Sequence, residues 1–175
     1  AAVAVCEGIA DAVDLQPMIK WPNDVLLNGK KICGILAEMI PQTDGIDFLV
    51  IGIGVNVHQK KEDFSPEMQT KAASLTMFTT KPLQRAVILQ AILSKMDVYL
   101  QQYQQEGFAP IKEKWLSHCA ALGENVSVLS KNTVLQQGKF IGIDDEGALL
   151  LESKNGAVTR FVSGEVSLRR PSEQY

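Results

Sequence analysis

Val5, Ile9 and Val13 recur every fourth position among small residues, which predicts a helix over residues 1–13. Pro17 then precedes a short extended run, Met18-Ile19-Lys20. The next four residues, Trp21-Pro22-Asn23-Asp24, must turn or bulge: proline fixes φ and pushes Trp21 out of the helical region, and Asn and Asp favour turns. Val25-Leu26-Leu27 reads as a strand, Asn28-Gly29 as a two-residue hairpin turn, and residues 32–40 as the return strand. A polar loop over 41–47 leads to the apolar strand 48–57, which is interrupted by Gly52 and Gly54. Together these segments predict an antiparallel meander.

Residues 58–70 are polar and read as a surface loop, with Lys60, Lys61, Glu62 and Asp63 clustered in it. A long amphipathic helix is expected over 83–105, with Leu89, Ile92, Leu93, Met96, Leu100 and Tyr103 on one face and Gly107 ending it. A second helix is expected over 110–121, with Ile111, Trp115 and Cys119 in one stripe. From Gly123 the pattern changes to short strands at 126–129, 134–143, 148–152 and 157–162, separated by the turn signals Asp145-Glu146-Gly147 and Lys154-Asn155-Gly156. About fifty residues of this kind predict a small five-stranded barrel of the SH3 type. The expected fold class is therefore α+β: a mixed or antiparallel sheet with packed helices over 1–122, then an SH3-like β-barrel over 123–175.

Composition narrows the function classes. The chain has 175 residues, 46% hydrophobic and 21% charged, which suits a globular core. A net charge of −3 gives no global basic field for nucleic acid or anionic membrane. No apolar run is long enough to span a bilayer, and the first residues lack the basic start of a secretory signal. Cys6, Cys33 and Cys119 are odd in number and lack metal-ligand spacing, so they read as buried, reduced thiols of a cytoplasmic protein, and no metal site is expected. Cys33 has no histidine near it in sequence and reads as a packing residue.

The chemistry concentrates in Lys20-Trp21-Pro22-Asn23-Asp24 and, shortly after it, Lys30-Lys31-Ile32-Cys33-Gly34-Ile35-Leu36-Ala37-Glu38. A site that brings a carboxylate against a phosphate must offset the repulsion of two anions, which in a closed site of low dielectric amounts to several kcal/mol. Lysine supplies a compact positive charge for that task. With the strands paired as Asn28-Gly29 implies, Lys20 and Lys31 can point to one end of the sheet, where a polyanion would sit. Asp24 can hold Mg²⁺ or orient an incoming amine, and Asn23 and Asn56 can bond ribose or phosphate. Gly34, Gly52 and Gly54 remove side chains where a flat ligand would lie on backbone. Singly, each feature has a plainer reading: a solvated turn, a solubilising Lys30-Lys31 pair, Trp21 in packing, Glu165 and Arg169 on a surface strand. Only the joint occurrence, in order, is informative.

That joint pattern resembles the biotin protein ligase family: Lys-Trp-Pro-Asn-Asp, then Lys31 with Gly34-Ile35-Leu36 and Glu38, then Gly52-Ile53-Gly54-Val55-Asn56. The segments 147–152 and 164–169 resemble the small C-terminal domain of the same family. The resemblance implies a class II synthetase-like ligase fold and an ATP-dependent biotin–protein ligase. Biotin and ATP, with Mg²⁺, would form biotinyl-5′-AMP, and biotin would pass to a lysine of a biotin carboxyl carrier protein. It implies catalytic roles for Lys31, Asp24 and Lys20. It implies binding roles for Trp21, Asn23, Gly34, Ile35, Gly52, Gly54 and Asn56, with Lys31 touching both biotin and the α-phosphate, and Glu165 and Arg169 closing over ATP. It permits a homodimer, to which the 41–47 loop can contribute. The family's upstream Arg/Gly-rich loop and N-terminal DNA-binding domain are not in this sequence. The chain is therefore expected to be part of a longer protein, weak or inactive alone, and to bind no nucleic acid. A lipoate- or octanoate-type acyl ligase and a non-catalytic carrier-binding adaptor are the alternatives.

Overall fold

The computed structural model describes residues 1–41, 48–130, 133–162 and 166–169. The chain divides into two compact units, one made of Ala1–Ile19 and Asn23–Val98, the other of Lys20–Pro22 and Tyr99–Tyr175.

In the first unit, helix α1 (Ala2–Val13) buries Val3, Val5, Cys6, Ile9 and Val13, and Asp14 ends it in the left-handed region with φ 58°. A four-stranded sheet follows in the order β1 (Met18–Lys20), β2 (Asp24–Leu27), β3 (Lys30–Ile40), β4 (Phe48–Val55), with β2–β3 and β3–β4 antiparallel. The meander is as the apolar runs and the Asn28-Gly29 turn predict. Asn28 and Gly29 have φ of 48° and 78°, the two positive values that a type I′ hairpin turn requires. Val25 and Ile32 of the sheet, together with Leu75 from the following loop, are fully buried. The segment 58–70 is exposed or half-buried throughout, as its polarity predicts, with a 3₁₀ turn over Lys61–Asp63; beyond it Ala72, Ala73 and Ser74 are buried, and a second 3₁₀ turn spans Leu75–Met77. The Ser74 hydroxyl donates to the Gln59 carbonyl at 2.6 Å, which satisfies its buried polar atom.

Helix α2 (Arg85–Glu106) matches the expected span, but its buried face differs from the expected one. Ile88, Ile92 and Tyr99 are buried, whereas Leu89, Leu93, Leu100 and Tyr103 are more than half exposed. Two apolar stripes run along this helix one residue apart, and packing selects the first. Close approach is the reason: a Cβ at Gly8 of α1 would lie 2.7 Å from the Ile92 Cα, so only glycine lets the two backbones meet there. Lys95 of α2 adds ion pairs to Asp11 at 2.9 Å and Glu7 at 3.4 Å on α1. The hydrogen bond to Asp11 is the main cause holding the Lys95 ammonium pKa above its ordinary value.

The second unit contains α3 (Ala109–Ser117) and a five-stranded sheet in the order β8-β7-β6-β5-β9, with every neighbouring pair antiparallel. The strands are β5 (Asn125–Ser130), β6 (Thr133–Ile143), β7 (Leu149–Glu152), β8 (Val158–Phe161) and β9 (Val166–Arg169). This is the small β unit that the turn spacing predicts. Helix α3 stops before Cys119, which is buried beyond its end, so the expected stripe to residue 121 is shorter. Phe140 is fully buried, and Trp115 meets it edge-to-face at 6.4 Å between ring centroids. At the turn after β6, the Asp144 carboxylate accepts the N–H groups of Glu146 and Ala148, each at 2.9 Å. Arg160 pairs with both Asp144 and Glu146, and its hydrogen bond is the first cause holding the Asp144 carboxyl below its usual range. No helix among the described residues is long and apolar enough to cross a membrane.

Candidate functional site

Lys31 enters β3 directly after the hairpin, and its backbone is held on both sides. On one side it faces Leu26 of β2. On the other, β4 has already ended at Val55, and the segment 71–73 takes the neighbouring place. Lys31 N–H donates to the Lys71 carbonyl at 2.8 Å, and Ala73 N–H donates to the Lys31 carbonyl at 2.9 Å, forming a parallel bridge. Asn56 secures that segment. Its side-chain amide donates to the Ala73 carbonyl at 3.2 Å, its own N–H donates to the Ile32 carbonyl at 2.8 Å, and its carbonyl accepts the Leu75 N–H at 3.0 Å.

Asp24 stands opposite Gly34 across the β2–β3 ladder. Its Oδ1 lies 2.5 Å from Lys31 Nζ, with the two side chains 28% and 39% exposed. Next to this pair is an open depression of about 510 Å³, lined by Asn23, Gly34, Ile35, Leu36, Gly52, Ile53 and Gly54 together with Lys31. Its floor is backbone, because Gly34 pairs with Gly54 and Leu36 with Gly52 across β3–β4. Asn23 extends the β2–β3 ladder past the turn: its side-chain amide donates to the Ile35 carbonyl at 2.8 Å, and its carbonyl accepts the Ile35 N–H at 2.9 Å. A glycine floor beside a half-exposed ammonium suits a flat ligand that carries an anion at one end. Partial exposure lets solvent weaken the Lys31–Asp24 attraction, so an incoming anion can compete for the ammonium at modest cost.

Cys33 is no nucleophile in this setting. It is buried, its thiol lies 3.6 Å from the Gly34 carbonyl, and desolvation pushes its pKa up to about 12 despite the opposing effect of Lys31. Among the described residues, no group of three or more His, Cys, Asp or Glu side chains is arranged to hold a metal ion.

The site so assembled contains Asn23, Asp24, Lys31, Gly34, Ile35, Gly52 and Gly54 from the predicted set. Lys20 is the last residue of β1, within the second unit. Trp21 is 4% exposed and donates its indole N–H to the Gly147 carbonyl at 3.2 Å, also within the second unit. Arg169 ends β9 opposite Ser127. Glu165 lies outside the described residues, as does the 41–47 loop apart from Pro41. Sequence reasoning missed the bridge formed by 71–73. The signal for it was present: Ala72-Ala73-Ser74-Leu75 is a small and apolar run that a solvated loop does not need.

Comparison with known proteins decides the family. Residues 2–117 match the biotin/lipoate A/B protein ligase family, and residues 121–169 match the biotin protein ligase C terminal domain. The chain belongs to the biotin/lipoate A/B protein ligase family. Among its relatives in this family, the bifunctional ligase/repressor BirA of Bacillus spizizenii is 42% identical over 168 residues, which is 96% of this chain and 51% of the relative. The biotin–[acetyl-CoA-carboxylase] ligase of Paracoccus denitrificans is 35% identical over 85% of this chain and 62% of its own length. This ligase-family chain thus spans about half the length of the Bacillus relative. Among solved structures, the biotin protein ligase from Aquifex aeolicus in complex with biotin and ATP matches with a TM-score of 0.82 and 31% identity, over 97% of this chain and 68% of that one.

Proposed function

We propose that this chain carries the lysine-bearing part of an ATP-dependent biotin–protein ligase. The observation that carries the reading is the Lys31 ammonium, 2.5 Å from Asp24, at the edge of a depression floored by Gly34, Gly52 and Gly54. In the first step a carboxylate oxygen of biotin attacks the α-phosphorus of ATP, and the bond to pyrophosphate breaks. Lys31 lies between the two anions and lowers their repulsion as the new P–O bond forms. In the second step an amine of the carrier protein attacks the acyl carbon and AMP leaves. Asp24, released from Lys31 once the ammonium turns to the ligand, takes the proton that the amine loses.

Within this reading the biotin rings lie on Ile35, Gly52 and Gly54, Gly34 borders them beneath the Lys31 side chain, and Asn23 and Asn56 edge the nucleotide. For Lys20, Trp21, Glu165 and Arg169 the nucleotide role rests on the sequence motif alone. Mg²⁺ arrives with the phosphates of ATP. The acceptor is a biotin carboxyl carrier protein in the cytoplasm. Met39, Phe48 and Leu49, all more than half exposed on β3 and β4, support self-association of two copies through this part of the sheet.

The test is calorimetric titration with a non-hydrolysable biotinyl-adenylate and, in parallel, its lipoyl counterpart. The biotinyl compound is expected to bind in preference. Substituting Lys31→Ala is expected to weaken it by about 10- to 100-fold, the usual worth of a hydrogen bond to a charged group. Preference for the lipoyl compound, or equal affinity in the variant, would overturn the reading.

A further inference from the structure

We infer that Gly34 is a positioning residue for the Lys31 ammonium, through a β-bulge at Ile32, and that its role differs from that of the other two glycines on the floor. In an unbroken strand residues 31 and 34 project to opposite faces, because side chains alternate. Here the ladder runs Val25↔Cys33 and then Leu26↔Lys31, so Ile32 is an extra residue on β3. One inserted residue shifts the alternation by one and brings Lys31 to the face of Gly34 and Asp24. The Lys31 side chain then folds back over the strand into the space that a side chain at 34 would take. A Cβ built on Gly34 would lie 3.2 Å from both Cε and Nζ of Lys31, and 4.0 Å from Asp24 Oδ1.

The other two glycines contrast with it. Among the described residues, a Cβ at Gly54 would meet the Gly34 carbonyl alone, at 3.8 Å, and one at Gly52 would meet the Leu36 carbonyl at 3.8 Å and its Cβ at 4.0 Å. Both are ordinary contacts, so those positions are open to a ligand. The space over Gly34 is filled by the chain's own lysine. The bulge aims the ammonium and the missing side chain at 34 lets it reach Asp24. The bulged residue is also pinned: the Ile32 carbonyl accepts the Asn56 N–H at 2.8 Å.

The substitution Gly34→Ala tests this. Among the described residues, the atoms its methyl group crowds belong to the end of a flexible side chain, so the variant should fold, and a failure to fold would count against the inference. In its high-resolution crystal structure the Lys31 Cε and Nζ should be displaced from their place over residue 34 by a few tenths of an ångström, roughly what contacts of 3.2 Å require. An ammonium left in place refutes the inference. The second arm rests on the ligase reading. Affinity for the non-hydrolysable biotinyl-adenylate should fall about tenfold in Gly34→Ala, yet change less than about twofold when the same substitution is made in the Lys31→Ala background. Equal loss in both backgrounds would mean that Gly34 merely makes room for ligand. Gly54→Ala serves as the control and should lose affinity equally in both. If the parent chain binds no adenylate, the ligase reading fails, and the position of Nζ in the crystal alone decides the role of Gly34.

Discussion

Raising the pH should destabilise the first unit through two buried thiols. Cys6 of α1 and Cys33 of β3 are 0% and 1% exposed. Desolvation is the first cause raising each, from an ordinary 9.0 to about 12, and for Cys6 the proximity of Cys33 adds to it. Each thiol ionises less readily folded than unfolded. The folded state therefore keeps its full stability below pH 9, and loses it progressively as pH rises toward 12. At pH 10.5 each unfolded thiol gains about 2 kcal/mol by ionising while its folded counterpart gains almost nothing, so the pair contributes roughly 4 kcal/mol. The assay is urea unfolding at pH 8.5 and 10.5, with and without Cys6→Ala and Cys33→Ala together. It is followed by circular dichroism, because both tryptophans, Trp21 and Trp115, fall in the second unit. Any cavity left by the lost sulfurs costs the same at either pH. The parent should therefore lose about 4 kcal/mol more than the variant between the two pH values. Parallel losses in the two proteins would refute the burial argument.

Three further outcomes follow from the packing. Phe140→Ala removes a fully buried ring with an edge-to-face partner in Trp115, and should cost about 3–5 kcal/mol in unfolding of the second unit, read by tryptophan fluorescence. Gly8→Ala forces a methyl group to within 2.7 Å of the Ile92 backbone; the strain outweighs the gain in helix propensity, for a net loss of about 1–2 kcal/mol in a thermal melt. Asn28→Val places a β-branched residue at φ 48° and should destabilise the β2–β3 hairpin, whereas Asn28→Gly should leave it within about 0.5 kcal/mol of the parent, as amide exchange across Leu27 and Lys30 will report.

Local chemistry made much of this architecture legible in advance. Asn28-Gly29 specified its turn because few residue pairs tolerate two positive φ values, and the apolar runs on either side then set β2 against β3. The small β unit announced itself through its turns for the same reason. What the sequence left open were choices that depend on a distant partner. Helix α2 carries two apolar stripes of nearly equal quality, and only the approach of Gly8 to Ile92 selects between them. The site was legible as a set of residue types but not as a geometry. No local signal marks Ile32 as the bulged residue, although it is what turns Lys31 toward Asp24. Nor does Asn56 announce that its amide is engaged by the Ala73 carbonyl. Trp21, which reads as a motif residue, has its indole committed to Gly147, a partner 126 residues away in sequence.

The claim on which the functional reading rests is that Lys31 meets the anionic end of a flat ligand lying on Gly52 and Gly54. A crystal structure of the chain with biotinyl-5′-AMP tests it most directly. The account predicts Lys31 Nζ turned away from Asp24 and within about 3 Å of a phosphate or acyl oxygen, with the fused rings over the two glycines. A ligand seated elsewhere, with the Lys31–Asp24 pair still closed at 2.5 Å, would contradict it.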